Sequence, residues 1–122
     1  MLVLSLAAKA GDVTAVWKFK NDLPAGINSA TAFEKSSGEV QSTVEGITMF
    51  VDATNGKLKG RENDAQFNNG TIIRVPVKST SDIVTVVSYP NYHNYNVGGT
   101  AADADEVNHK ATTAEVAQGY VE

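Results

Sequence analysis

The sequence has 122 residues, of which 42% are hydrophobic and 20% are charged, and its formal net charge is −4. This length supports one domain, and the composition excludes an intrinsically disordered chain. The absence of cysteine excludes a disulfide scaffold and any zinc site built on cysteine, and the mild acidity argues against a nucleic-acid partner.

The apolar residues are mainly those that favour β-sheets. Val, Ile and Thr together number 31, whereas Leu and Met together number 7. Side chains branched at Cβ lose rotamer freedom in helices and pack well on a pleated sheet. The composition therefore predicts an all-β domain.

The first ten residues have two interpretations. Leu2–Ala8 is an apolar run, and Ala8-Lys9-Ala10 has the small-x-small form of a signal-peptidase site. The run is far shorter than the roughly 20 apolar residues needed to cross a membrane, so no membrane span is predicted. We interpret residues 1–10 as the remnant of a truncated export signal, with an ordinary first strand as the alternative. Residues 11–122 then form the single domain of a secreted, periplasmic or surface protein of bacterial type.

The residue pattern of the N-terminal half predicts strands separated by turns. Alternation over residues 13–20 predicts a half-buried strand with Trp17 in the core. Thr31–Glu34 has the form of a capping box and predicts one helical turn. Strands are predicted over residues 47–52 and 57–61, joined as a hairpin by a tight turn at Asn55-Gly56.

The C-terminal half continues this pattern. Residues 71–77 form the clearest strand, and the nearly continuous apolar run 83–89 predicts a strand buried on both faces. Residues 111–118 fit either a strand or a helical turn, and a final strand begins near Gly119 and is cut by the end of the sequence. About eight short strands at roughly 8–12-residue spacing predict an antiparallel β-sandwich or jelly roll.

The segment Tyr89–Asn96, with the sequence YPNYHNYN, has the densest group of side chains suited to ligand binding. Tyrosine rings offer stacking faces for sugars, and amides offer hydrogen bonds to hydroxyl groups. The alternative is that the tyrosines are core or rim residues and the asparagines form turns. Tyr95, in phase with Val97, is the tyrosine expected in the core. The predicted carbohydrate contacts are Tyr89, Asn91, Tyr92, His93 and Asn94, with Arg74 and Lys78 for uronate carboxylates.

An acidic loop is the main candidate metal site, and Asp52 with the nearby Asn55 is a weaker one. Asp103, Asp105 and Glu106 have the D-x-D opening of an EF-hand loop, but Asn108 stands where the loop needs glycine and Ala114 where it needs glutamate. An EF-hand is therefore excluded. An irregular structural calcium site is the alternative to a solvated loop, and no other cofactor is predicted.

No catalytic signature is present in the sequence. His93 and His109 lack the spacing of a zinc enzyme, and there is no Gly-x-Ser-x-Gly motif or phosphate loop. We therefore predict no catalytic residues and a protein that is not itself an enzyme.

Four segments carry a resemblance to a known family. They are Val16–Pro24, Met49–Leu58, Asn69–Val77 and His109–Val121. Over roughly residues 13–122 the chain resembles the β-sandwich accessory domain of secreted bacterial pectinesterases and pectate lyases. The resemblance implies a non-catalytic, carbohydrate-binding-like module, covalently attached to a pectin-active catalytic domain. It brings no binding motif that can be carried over residue by residue.

Three hypotheses follow for function. The first is a carbohydrate-binding module for plant cell-wall polysaccharide, with pectin as the first candidate. The second is a structural interdomain module without a ligand, which predicts that Tyr89 and Tyr92 are buried. The third is an enzyme in its own right, such as a small lyase or esterase, or a fragment of a pectin-active enzyme. It predicts a cleft with paired carboxylates, or with a lysine or arginine beside a metal.

Overall fold

The structure is a computed structural model, and it describes residues 13–19 and 27–122 together with the backbone of residues 3–8. Within these residues the chain forms thirteen strands and a single helix of six residues. In chain order the elements are β1 (Val3–Ala8), β2 (Val13–Lys18), β3 (Ala32–Glu34), β4 (Ser37–Gln41), β5 (Thr48–Asp52), β6 (Lys57–Gly60), β7 (Ala65–Phe67), β8 (Ile72–Pro76), β9 (Ile83–Val87), β10 (Asn96–Val97), β11 (Thr100–Ala101), β12 (Glu106–Lys110), α1 (Thr113–Gln118) and β13 (Tyr120–Val121). The fold is therefore mostly β, as the composition predicts.

The strands form several antiparallel sheets. Sheet I has the order β12-β9-β1-β2, and sheet II has the order β13-β8-β5-β4. Sheet III consists of β3, β6 and β7, and β10 and β11 form a separate hairpin. The strands exceed the predicted eight because several have only two or three residues, too few for an alternating pattern to show in the sequence.

The segment Val3–Ala8 is an inner strand of sheet I. It pairs with β2 on one side, where Leu4 lies opposite Trp17, and with β9 on the other, where Leu4 lies opposite Val86. Ladder partners on both sides satisfy the backbone groups of the segment. The structure thus describes Val3–Ala8 as a strand. Residues 1–2 and 9–10 lie outside the described residues, and the export remnant over residues 1–10 stays a prediction.

One apolar core is shared by sheets I and II. Trp17 is fully buried, as predicted, and its Nε1 donates a hydrogen bond of 2.8 Å to the carbonyl oxygen of Val40 on β4. This bond joins a strand of sheet I to a strand of sheet II. The buried apolar residues are Ala15, Trp17, Phe19, Ile27, Val40, Met49, Val51, Ala53, Leu58, Val75, Val77, Val84, Val86, Val97, Ala111 and Val121.

Two predictions about β3 and β6 are wrong. Ala32–Glu34 is not a helical turn but strand β3, because Phe33 pairs opposite Leu58 and this cross-strand contact outweighs a weak capping signal. The Asn55-Gly56 turn forms, but it does not close a hairpin. Instead, β5 pairs with β4 and β8, whereas β6 pairs with β3 and β7.

The prediction for residues 83–89 needs a correction, and the open question at residues 111–118 is resolved. β9 lies inside sheet I, but only Val84 and Val86 are buried, and Ile83 is 38% exposed. The apolar run therefore covers one core face and one outer face. Residues 113–118 form α1, which begins with a capping box at Thr112 and Glu115 and ends at Gly119 in the left-handed conformation.

Membrane-spanning helices are not found in the part of the chain that the structure describes. The single helix there, α1, has six residues.

Candidate functional site

A cleft of about 970 Å³ opens between two segments of the chain. One lip is formed by residues 88–99, which follow β9, and the other by residues 61–73, which connect β6 to β8. The floor is apolar and includes Val75 of β8 with Val84 and Val86 of β9. A concave site of this size with an apolar floor and a polar rim is typical of ligand binding.

Two exposed tyrosines stand on the first lip. Tyr89 is 45% exposed and Tyr92 is 69% exposed, and their rings pack edge to face with centroids 6.3 Å apart and an interplanar angle of 66°. A turn places them together, because the Tyr92 amide donates to the Tyr89 carbonyl at 3.0 Å and Asn91 within it has a φ of 65°. Both rings line the cleft.

Tyr95 forms the inner part of the same lip. Its ring is partly buried against the core, as its phase with Val97 predicts, and its hydroxyl donates to Ser88 Oγ at 3.2 Å. Asn94 and Asn96 line the cleft beside it. The lip thus combines aromatic surface with amide groups.

Asp105 anchors the tyrosine turn from behind. Its Oδ1 accepts a hydrogen bond of 3.0 Å from the Asn91 amide and lies 2.7 Å from His93 Nε2. The hydrogen bond with His93, followed by that from Asn91, holds the pKa of Asp105 below its ordinary value. His93 therefore positions the loop and is not among the residues that line the cleft.

Among the acidic residues predicted as a calcium site, Asp105 already has other hydrogen-bond partners. Asp105 is engaged by the tyrosine turn, and no group of three or more His, Cys, Asp or Glu side chains suited to a metal ion occurs among residues 13–19 and 27–122. The structure thus gives Asp103 and Glu106 no shared ligand geometry with Asp105. The calcium site remains a prediction.

The second lip is polar, and sequence reasoning did not assign it to the site. Arg61 Nη2 donates to Asp64 Oδ2 at 2.8 Å, while Arg61 Nε contacts the other carboxylate oxygen, so the pair is bidentate. Asn68 and Asn69 line the cleft beside this pair. The signal available in the sequence is the polar, asparagine-containing stretch that ends at Asn69-Gly70, a composition typical of any loop.

Gly70 fixes the shape of this second lip. Its φ is 87°, and a Cβ there would lie 2.2 Å from the carbonyl oxygen of Asn55. The two Asn-Gly turns therefore pack directly against each other, and only glycine fits at this contact. Thr71 reinforces the contact, because its Oγ1 accepts from the Lys57 amide at 2.9 Å.

Arg74 and Lys78, the two cations predicted to contact uronates, lie outside the cleft that Tyr89 and Tyr92 line. Arg74 is on the face of β8 opposite Val75, with its guanidinium carbon 5.6 Å from the Phe50 ring and 5.1 Å from the Tyr120 ring. Its Nε lies 3.3 Å from Glu122 Oε2. Lys78 is exposed and does not line the cleft. The structure therefore joins Tyr89, Tyr92 and Asn94 in one site and separates Arg74 and Lys78 from it.

No protein-family profile, curated protein or solved structure matches this chain. The cleft is thus characterised by its own geometry. It offers ring stacking at Tyr89 and Tyr92 and hydrogen bonding from amides on both lips.

Proposed function

We propose that this domain is a carbohydrate-binding accessory module and that the tyrosine-rimmed cleft is its binding site. The observation that carries the proposal is the exposure of Tyr89 and Tyr92 as an edge-to-face pair on the lip of the cleft. An exposed aromatic pair on the rim of a cleft offers a stacking surface to a ligand. Both rings are exposed, whereas the hypothesis of a structural module without a ligand predicts that they are buried.

The binding mechanism follows from the two chemical faces of a sugar. The C–H face of a pyranose ring packs on a tyrosine ring, whose tip stays in water. Equatorial hydroxyls then meet the amides of Asn94 on one lip and Asn68 and Asn69 on the other. Because both lips are held by internal hydrogen bonds, little conformational entropy is lost on binding.

The wider setting of the module is also part of the proposal. We place sheets I and II as the two layers of a β-sandwich of jelly-roll type, because their buried residues share one core. The domain would be secreted and covalently attached to a pectin-degrading enzyme. Tethering makes the encounter of the catalytic domain with the polysaccharide intramolecular and raises its effective concentration.

Affinity electrophoresis through gels containing pectin, xylan or glucan tests the binding proposal. We expect retardation on at least one polymer, and a loss of roughly fivefold to tenfold in affinity for Y92A or Y89A, since an aromatic contact contributes about 1–1.5 kcal/mol. I83A is the control, because Ile83 is an apolar residue nearly as exposed as Tyr89 but does not line the cleft.

Two other outcomes would replace this proposal. Absence of retardation on all three polymers would favour a structural interdomain module. Turnover of polygalacturonate or methylated pectin by the isolated domain would favour a fragment of a pectin-active enzyme.

A further inference from the structure

Each charged side chain that lines the cleft is held in an ion pair. Among the described lining residues, charged groups occur only at Arg61, Asp64 and Glu122. Arg61 and Asp64 are bound to each other in a bidentate pair, and the carboxylate of Glu122 pairs with Arg74 on the outer face of sheet II. The cleft therefore presents no uncommitted positive charge from these residues.

The surroundings of the tyrosine lip are acidic. Asp105 contacts the tyrosine turn directly, and Asp103 and Glu106 are its close neighbours in the chain. The chain as a whole carries a net charge of −4. An anionic ligand approaching Tyr89 and Tyr92 would thus meet a potential of its own sign.

We propose that the cleft selects uncharged glycan segments, either neutral sugars or methyl-esterified uronates, over free uronates. This inference rests on the proposed carbohydrate-binding function and names its ligand class. A free uronate carboxylate entering the cleft would lose water, and its natural partner would be Arg61, which is already bound to Asp64. A methyl ester or a hydroxyl has no such cost and can use the tyrosine and asparagine groups.

Arg74 does not change this selection. Its guanidinium lies between the rings of Phe50 and Tyr120, on the face of sheet II that is turned away from the cleft floor. Arg74 is not among the residues that line the cleft, and its Nε is paired with Glu122. Arg74, which was predicted from the sequence to contact uronate carboxylates, therefore lies on a different surface.

Titration calorimetry of the full chain with two matched ligands tests the inference. The ligands are oligogalacturonates of equal length, one fully methyl-esterified and the other de-esterified, so they differ mainly in charge. At low salt we expect the ester to bind roughly tenfold tighter, and the difference to shrink towards about twofold at 1 M salt because the Debye length falls to about 3 Å. Xylan and glucan oligomers serve as uncharged ligands of other sugars.

Two variants that each remove one negative charge make the test more specific. D64N releases Arg61 from its partner, so we expect the preference for the ester to fall several-fold relative to the unmodified chain. E39Q removes the same charge from an exposed position that lines the separate depression beside Arg74, and should leave the preference unchanged. Circular dichroism checks that both variants fold.

Each result decides between the two proposals. Equal or tighter binding of the free uronate at low salt would overturn the inference and leave carbohydrate binding intact. Failure of every oligomer to bind would overturn the carbohydrate-binding proposal itself. Tighter binding of the ester than of the free uronate, or binding of xylan or glucan when neither uronate binds, would support both.

Discussion

Trp17 connects the two main sheets through a single buried hydrogen bond. Its ring is fully buried on β2, and its Nε1 donates to the carbonyl oxygen of Val40 on β4. Both groups lie in the core, so the loss of one partner would leave the other unsatisfied and without water. This residue therefore contributes to stability by a polar contact as well as by apolar packing.

The substitution W17F should destabilise the domain by about 2–4 kcal/mol. The reason is the unsatisfied Val40 carbonyl, which costs about 1–3 kcal/mol, together with the smaller volume of phenylalanine. Urea denaturation followed by circular dichroism measures the change. The variant E39Q, at an exposed position of the edge strand β4, should stay within about 0.5 kcal/mol. An equally small effect of W17F would show that the hydrogen bond contributes nothing.

Asp105 is the residue on which the orientation of the tyrosine turn depends. D105N weakens the contact with His93 and the charge-assisted bond from the Asn91 amide, so we expect the affinity for a bound glycan to fall about threefold to tenfold. The free energy of unfolding should change little, because the carboxylate is exposed at the surface. Calorimetry with the glycan and urea denaturation separate the two effects. Unchanged affinity would show that the turn holds its shape without Asp105.

At the scale of elements, α1 is held at its start by more than its own capping box. Glu115 accepts from the Thr112 amide at 2.9 Å and also lies 2.7 Å from His109 Nε2 on β12. The His109 ring in turn packs against Gly98, where φ is 57° and a Cβ would lie 2.3 Å from the ring. One carboxylate thus links the helix, β12 and the turn between β10 and β11.

Glu115 should make stability depend on pH on the acid side. Burial raises the pKa of Glu115, but the hydrogen bonds from His109 and Thr112 outweigh it, so the pKa in the folded state lies below the ordinary 4.5. A lowered pKa stabilises the fold above the unfolded value, and this contribution is lost as pH falls through the folded value. E115Q should therefore show a smaller loss of unfolding free energy between about pH 5 and pH 3 than the unmodified chain.

Urea denaturation at several pH values gives this comparison. The control E39Q removes an exposed glutamate outside the capping box and should keep the original acid dependence. An identical acid slope for E115Q and the unmodified chain would contradict the linkage.

At the scale of the whole molecule, the shared core predicts cooperative unfolding. Trp17 of sheet I packs in one cluster with Met49 and Val51 of sheet II. Neither sheet keeps a buried face without the other, so the two should unfold together. Tryptophan fluorescence and far-ultraviolet circular dichroism should give coincident transitions in urea. Separate midpoints would mean that the sheets are independent units.

Much of the strand pattern was readable from the sequence. The alternation around Trp17 and the run beginning at Ile72 indicated strands, because one buried face imposes a period of two. The strand β3 was missed because three residues carry too short a pattern, and its partner Leu58 is distant in sequence. The second lip of the cleft was missed for a similar reason, since polar residues around Arg61 look like any solvated loop.

By itself, the sequence determined the β class of the fold, the burial of Trp17 and the unusual chemistry of the segment around Tyr92. Those properties are local, because they depend on side-chain branching, alternation and residue type. Only the tertiary structure decided that β5 and β6 enter different sheets. It alone placed Arg61 and Asp64 in the cleft with Tyr89 and Tyr92, and Arg74 outside that cleft. Strand pairing brings together residues that are far apart in the chain, and sequence periodicity carries no information about which strands become neighbours.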